Sequence, residues 1–253
     1  MEYALITGAS SGIGLEISRQ FAKDRINLIL VSRNDKKLRS IAEDFEITHK
    51  IKALFFTEDL CNPNAAQKIF DQIQKHRLSV KYLVNNAGFY VKGKFTETSW
   101  EDAVNLIQIE CINHTKLTKL LLPDMIHHGD GGIINVASTG SFVPGPFNAI
   151  YCAAKSFVLS FSEAIAEELK GTGVHVTTLC PGGTNTQFQD LSERRNSFFT
   201  PIMEPEEVAK IGYKAFKKKM NLIVPGILNK LQVFLIRFLP RRYVTKIAAT
   251  MVT

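Results

Sequence analysis

Six short runs constrain this chain most: "YALIT" (3–7), "NLILVS" (27–32), "IKALFF" (51–56), "VKYLVNN" (80–86), "GGIINVAS" (131–138) and "VHVTTLCP" (174–181). They are apolar nearly throughout, not on alternate residues, as expected of strands covered on both faces. Between them lie segments of helical period: "GIGLEISRQFAKD", "KKLRSIAEDF", "AAQKIFDQIQKH", a long one over residues 100–126, and "AAKSFVLSFSEAIAEELKG". This strand–helix alternation predicts an α/β fold, a doubly wound parallel sheet between two helical layers. In such sheets ligands bind beyond the carboxyl ends of the strands. The residues that follow each run are therefore the candidates for chemistry.

The first run ends in "TGASSGIG", with Gly8, Gly12 and Gly14 in a G-x-x-x-G-x-G spacing. Between a strand and a helix, such glycines allow a tight turn and close approach of backbone to a pyrophosphate. The second run ends in "VSRN". A ribose 2′-hydroxyl would call for a carboxylate here and a 2′-phosphate for an arginine, so Arg33 favours NADP(H) over NAD(H). The third ends in "TEDL", with Asp59 placed for an adenine edge, and the fourth in "NNAG", whose small residues let a ligand lie against the sheet. After the fifth come Ser138 and then "YCAAK", which sets Tyr151 and Lys155 one helical turn apart on one face. An ammonium beside a phenol favours the phenolate and is expected to lower the Tyr151 pKa. The sixth ends in "CPGGTNT".

Together, in this order, these motifs resemble the short-chain dehydrogenase/reductase family over residues 3–219. The stretch around "YCAAK" looks most like a bacterial broad-specificity or unassigned branch, and less like the branch acting on steroids and fatty-acyl carbonyls. The resemblance implies a Rossmann-type sheet of about seven strands, order 3-2-1-4-5-6-7, with "NLIVPG" as the last. It implies that Tyr151 exchanges a proton with the substrate oxygen, that Ser138 holds that oxygen, and that Lys155 tunes Tyr151 and bonds the nicotinamide ribose. The implied NADP(H) contacts are Gly8, Ser10, Ser11, Gly12, Ile13, Gly14, Arg33, Asp59, Leu60, Asn86, Ala87, Gly88, Tyr151, Lys155, Pro181, Gly182, Thr184 and Thr186. It also implies a homodimer or tetramer.

One position departs from the family pattern. Counting back from "LTKLLLP", the usual catalytic Asn is Glu110; Asn113 would require a slip in register. Glu110 has three readings: an ion pair with Lys155, which is favoured; a protonated mimic of the amide; or a clamp on Lys155 that leaves a non-catalytic NADP(H)-binding scaffold or sensor. Apolar residues near the site, Phe142, Val143, Pro144 and Phe147, with Phe188 in the irregular stretch near 187–204, suggest an apolar carbonyl substrate.

At 253 residues and 45% hydrophobic composition the chain can bury a large core. It shows no internal linker, so one domain is expected: residues 1–220 carry cofactor and catalysis, and 221–253 supply the last strand and a helical tail. Cys61, Cys111, Cys152 and Cys180 are scattered and the histidines lack ligand spacing, so neither a disulfide framework nor a metal is expected. The net charge of +7 is spread along the chain, which argues against a nucleic-acid groove. No signal segment or uninterrupted apolar run of spanning length is read, so the cytoplasm is expected. The tail, "ILNKLQVFLIRFLPRRYVTKIAATMVT", keeps two readings: helices packed on their own domain or a partner subunit, or an interfacial element resting on an anionic membrane.

Overall fold

The computed structural model describes residues 1–186 and 201–250. Phe188 lies outside them. Seven strands form one parallel sheet: β1 Glu2–Thr7, β2 Asn27–Ser32, β3 Ala53–Thr57, β4 Ser79–Asn85, β5 Gly131–Val136, β6 Val174–Leu179 and β7 Leu222–Ile223. Their order is β3-β2-β1-β4-β5-β6-β7, as expected. The direction of winding reverses between β1 and β4, so the crevice for a ligand falls at their carboxyl ends.

Successive side chains of a strand point to opposite faces, which makes two cores. Ala4 and Ile6 of β1 face Phe21 of α1 (Gly12–Lys23), Phe45 of α2 (Asp35–His49) and Phe216. Tyr3 and Leu5 face Ile69 of α3 (Ala65–Lys75) and, beyond it, Leu117, Leu121 and Met125. Strands buried on both faces explain why the six runs read as continuously apolar.

The long segment expected over 100–126 is not one helix. It comprises α4 (Trp100–Ile107), a π-helical turn (Gln108–Asn113) and α5 (His114–His128). The wider turn buries Gln108, Glu110 and Asn113 together. Such turns inside α-helices often sit at functional sites. Next come α6 (Ala149–Glu168), then α7 (Pro205–Lys217), which the periodicity had not revealed. The signals for α7 were present: Pro205 opens the first turn, Glu206 and Glu207 follow it, and Lys214 and Lys217 sit in the last turn, each matching the helix dipole. Tyr213 of α7 meets Phe21 edge-on, with ring centroids 4.8 Å apart. Helix α6 has the length and apolarity of a membrane span, yet Cys152, Ala154, Val158, Leu159 and Ser162 are packed inside the protein. The tail forms α8 (Ile227–Ile236) and α9 (Arg241–Thr250) on either side of Pro240.

Candidate active site

The glycine loop is locked to the end of β4. Gly8 and Gly12 have φ of +66° and +57°, in the left-handed region. A Cβ on Gly14 would lie 2.4 Å from Asn86 Nδ2 and 2.5 Å from the Gly8 carbonyl, so only glycine fits there. Asn86 Nδ2 donates to the Thr7 carbonyl at 2.9 Å, and the Thr7 hydroxyl accepts from the backbone N–H of Asn86 and Ala87. Asn86 thus shapes the loop, a job the motif alone did not reveal. Deeper down, Asn85 Nδ2 donates to Thr118 and Asn135, and Asn135 donates to Ser162, tying α5 and α6 to the sheet.

The loop fits a dinucleotide phosphate. Ser11 precedes α1 in extended conformation, and its side chain makes no capping bond. The first turn of α1 holds no acid, so its backbone N–H groups and the positive dipole end suit an anion. A Cβ on Gly12 would lie 3.0 Å from Thr186 Cγ2, so the loops after β1 and β6 converge. Arg33 is largely exposed at the end of β2, with NH1 3.9 Å from Asp59 Oδ2. Leu60 is buried beside them.

The expected catalytic residues meet where β4 and β5 end against α6. Ser138 opens a 3-10 turn (Thr139–Phe142) and accepts a hydrogen bond from the Gly140 N–H. The Ser141 hydroxyl donates to the Lys155 carbonyl and holds that turn to α6. Ser138 hydrogen-bonds the Tyr151 phenol. Tyr90, unexpected from the sequence, packs edge-on against Tyr151 at 5.0 Å.

Glu110 reaches Lys155, a contact that the ion-pair and clamp readings share. Lys155 Nζ donates to Glu110 Oε2 at 2.8 Å and to the Val136 carbonyl at 2.9 Å, and Glu110 Oε1 lies 2.7 Å from the same nitrogen. Both residues are buried. Gly88 makes room for them: a Cβ there would lie 2.0 Å from Glu110 Oε1. Asn113 has another task. Its amide donates to the carbonyls of Leu60 and Asn62 and fixes the loop after β3.

The expectation that Lys155 lowers the Tyr151 pKa is reversed. Burial pushes the phenol above its usual range; the Ser138 hydrogen bond opposes this, and the Glu110 carboxylate pushes it further up. The main physical reason is burial, with the Glu110 carboxylate adding to it; the Lys155 ammonium, 6.0 Å from the ring centroid, is bound to that carboxylate. Burial also raises Glu110 itself, while Lys155 pulls it down. His114, one turn beyond Glu110, is held at a pKa of about 3 by burial and by the Lys155 charge, and so is neutral. Its Nε2 finds no partner among the described residues.

A cavity of about 630 Å³ lies on another face of α6, and its lining includes none of Ser138, Tyr151, Lys155 and Glu110. Phe142, Val143, Pro144 and Cys152 line it, and Arg241 and Thr245 of α9 border it. Phe142 lines it and Phe147, with φ +63°, does not. Among the described residues, no cluster of His, Cys, Asp and Glu could hold a metal ion.

The family model described as short chain dehydrogenase matches residues 2–196. The ketoacyl reductase HetN of Nostoc sp. is 30% identical over 221 residues, covering 87% of this chain and 77% of that protein. A very-long-chain 3-oxoacyl-CoA reductase of Phaeosphaeria nodorum is 38% identical over 183 residues, 69% of this chain but 52% of the relative, so the chain matches about half of that enzyme. Among solved structures, a short-chain dehydrogenase from Sphingobium yanoikuyae in complex with NADPH shares 25% identity, with a TM-score of 0.81 over 95% of this chain and 97% of that one.

Proposed function

The chain belongs to the short-chain dehydrogenase family, whose members are oxidoreductases, and on that premise we propose that it is an NADP(H)-dependent reductase of apolar carbonyl compounds. The observation that carries this reading is the meeting of Ser138, Tyr151 and Lys155 at the carboxyl ends of β4 and β5, beside a loop shaped for a pyrophosphate. Arg33 at the end of β2 supports the phosphorylated cofactor, because a guanidinium forms charge-assisted bonds to a 2′-phosphate.

When bound, the nicotinamide supplies the hydride that a carbonyl carbon accepts. The chain does the rest. Ser138 holds the substrate oxygen in place. Tyr151 gives that oxygen its proton. A phenol is protonated near neutral pH, as a proton donor must be, and the reverse reaction needs the phenolate. Lys155, held by hydrogen bonds to Glu110 and the Val136 carbonyl, is fixed beside the proton donor.

The apolar side chains of Phe142, Val143 and Pro144, in the segment that follows Ser138, support an apolar substrate. The relatives named for ketoacyl and 3-oxoacyl-CoA reduction agree with that class. Exposed Val104, Ile107, Ile112 and Phe157 along α4, the π turn and α6 support pairing of two copies through these helices. A second reading, cofactor binding without turnover, is favoured by one observation, the engagement of Lys155 by Glu110.

Titration with NADPH and NADH, followed by cofactor fluorescence, tests the cofactor assignment. Tighter NADPH binding, lost in Arg33→Ala, is expected. Equal affinities would remove the NADP(H) preference, and no binding of either would undercut the reductase reading.

A further inference from the structure

The tail turns the usual distribution of residues inside out. Helix α8 is anchored by its polar side. Asn229 is buried, donates to the Pro225 carbonyl at 2.8 Å, and packs so tightly on Gly182 that a Cβ there would lie 2.6 Å from its amide. Val233, one turn on, joins a small core with Ala137, Val158 and Cys180. With that orientation set, Ile227, Leu228, Leu231, Phe234, Leu235 and Phe238 all face outward. Their spacing of i, i+1, i+4, i+7, i+8 and i+11 makes one continuous stripe along a helix. Phe234 and Phe238 are 56% and 71% exposed, with ring centroids 5.1 Å apart. Scattered exposed apolar residues need no explanation, but a contiguous apolar face does.

The charges beside the stripe say what covers it. Lys230 and Arg237 lie along one edge of α8; Arg241, Arg242 and Lys246 follow on α9, where Tyr243 and Ile247 are exposed as well. No Asp or Glu follows Glu207 in the sequence. A second copy docked by the same face about a two-fold axis would set this row of cations against itself. An anionic surface with a hydrocarbon interior answers both features at once, since apolar side chains enter the acyl boundary while cations meet the headgroups.

We propose that α8 and α9 dock this protein on an anionic lipid surface, with the Ile227–Phe238 stripe inserted and the basic residues at headgroup level. The fold itself stays outside the bilayer, because α8 is too short to span one.

Co-sedimentation of the full-length protein with phosphatidylcholine vesicles, with and without phosphatidylglycerol, tests this. Recovery with the anionic vesicles is expected, weakened by salt and reduced at least about tenfold in Phe234→Ser/Phe238→Ser, given two large side chains withdrawn from the acyl region. Unfolding curves and NADPH affinity should match wild type, because neither residue is buried or at the site. Three results would overturn the proposal: no recovery with either vesicle, equal recovery with both, or unaltered binding by the double variant. A dimer that ignores vesicles and dissociates in Phe234→Asp would assign the stripe to a second copy and overturn it too.

Discussion

The catalytic cluster and the C-terminal tail break opposite halves of one rule. At the cluster, Lys155 and Glu110 place full charges where hydrocarbon belongs; on the tail, Phe234 and Phe238 place hydrocarbon where charge belongs. Both arrangements cost free energy in an isolated chain. A buried ion pair must overcome desolvation, and exposed apolar side chains gain nothing from folding. The difference lies in what offsets the cost. Inside, the partner is on the chain, in the contact of Nζ with both carboxylate oxygens and a carbonyl. Outside, α8 meets no partner across the stripe among the described residues. The first region is therefore expected to govern stability and turnover, the second to govern where the protein sits.

Glu110→Ala should show the largest effect. It leaves the Lys155 ammonium buried and unpaired, and a loss of about 3–5 kcal/mol is expected in denaturant unfolding. A loss below about 1 kcal/mol would mean that water or a rearranged chain replaces the carboxylate. Arg33→Ala, exposed and remote from the pair, should leave unfolding unchanged and weaken NADPH binding roughly 10- to 100-fold, the worth of a charged hydrogen bond.

Glu110→Gln separates charge from shape. Removing the negative charge removes one cause of the raised Tyr151 pKa, so the limb of alcohol oxidation that rises with pH should move toward neutrality. An unmoved profile would show that Glu110 does not set the Tyr151 pKa.

His114 gives a smaller, pH-dependent signal. Its folded pKa is about 3, below an unfolded value of about 6.5. Its contribution to stability is present above about 6.5 and is lost as pH falls toward 3, because only the unfolded chain takes up the proton in that window. His114→Gln should flatten the slope of stability against pH there by up to about one proton. Leu231→Ser should do least, changing stability by less than about 0.5 kcal/mol, whereas a large loss would mean that the stripe packs against the fold after all.

Much of this was legible in the residues. Strands covered on both faces leave unbroken apolar runs, and the family resemblance that the motifs carry implied the sheet order and the grouping of Ser138, Tyr151 and Lys155. The register of Glu110 followed from its distance to "LTKLLLP", and the structure sets its carboxylate on Lys155. What escaped depends on contacts between distant segments. The π turn changes which side chains face inward without changing the apolar pattern. Thr7, Asn86 and Ser141 act through bonds to backbone groups far along the chain, and hydroxyls and amides carry no periodic signal. The raised Tyr151 pKa required knowing how deeply the phenol is buried and that the Glu110 carboxylate lies near it. Helix α7 was legible in principle, from Pro205 and the charges at its two ends.

The most direct test of the central claim is NADPH consumption with a long-chain 3-oxoacyl thioester, measured for wild type and Tyr151→Phe alongside their NADPH affinities. Turnover by wild type, with a loss of about 10²- to 10⁴-fold in the variant at unchanged affinity, is the expected result. A variant that binds NADPH and turns over as fast as wild type would contradict the role given to Tyr151, and wild type that binds NADPH but consumes none with this or any other apolar carbonyl would contradict the assignment as a reductase.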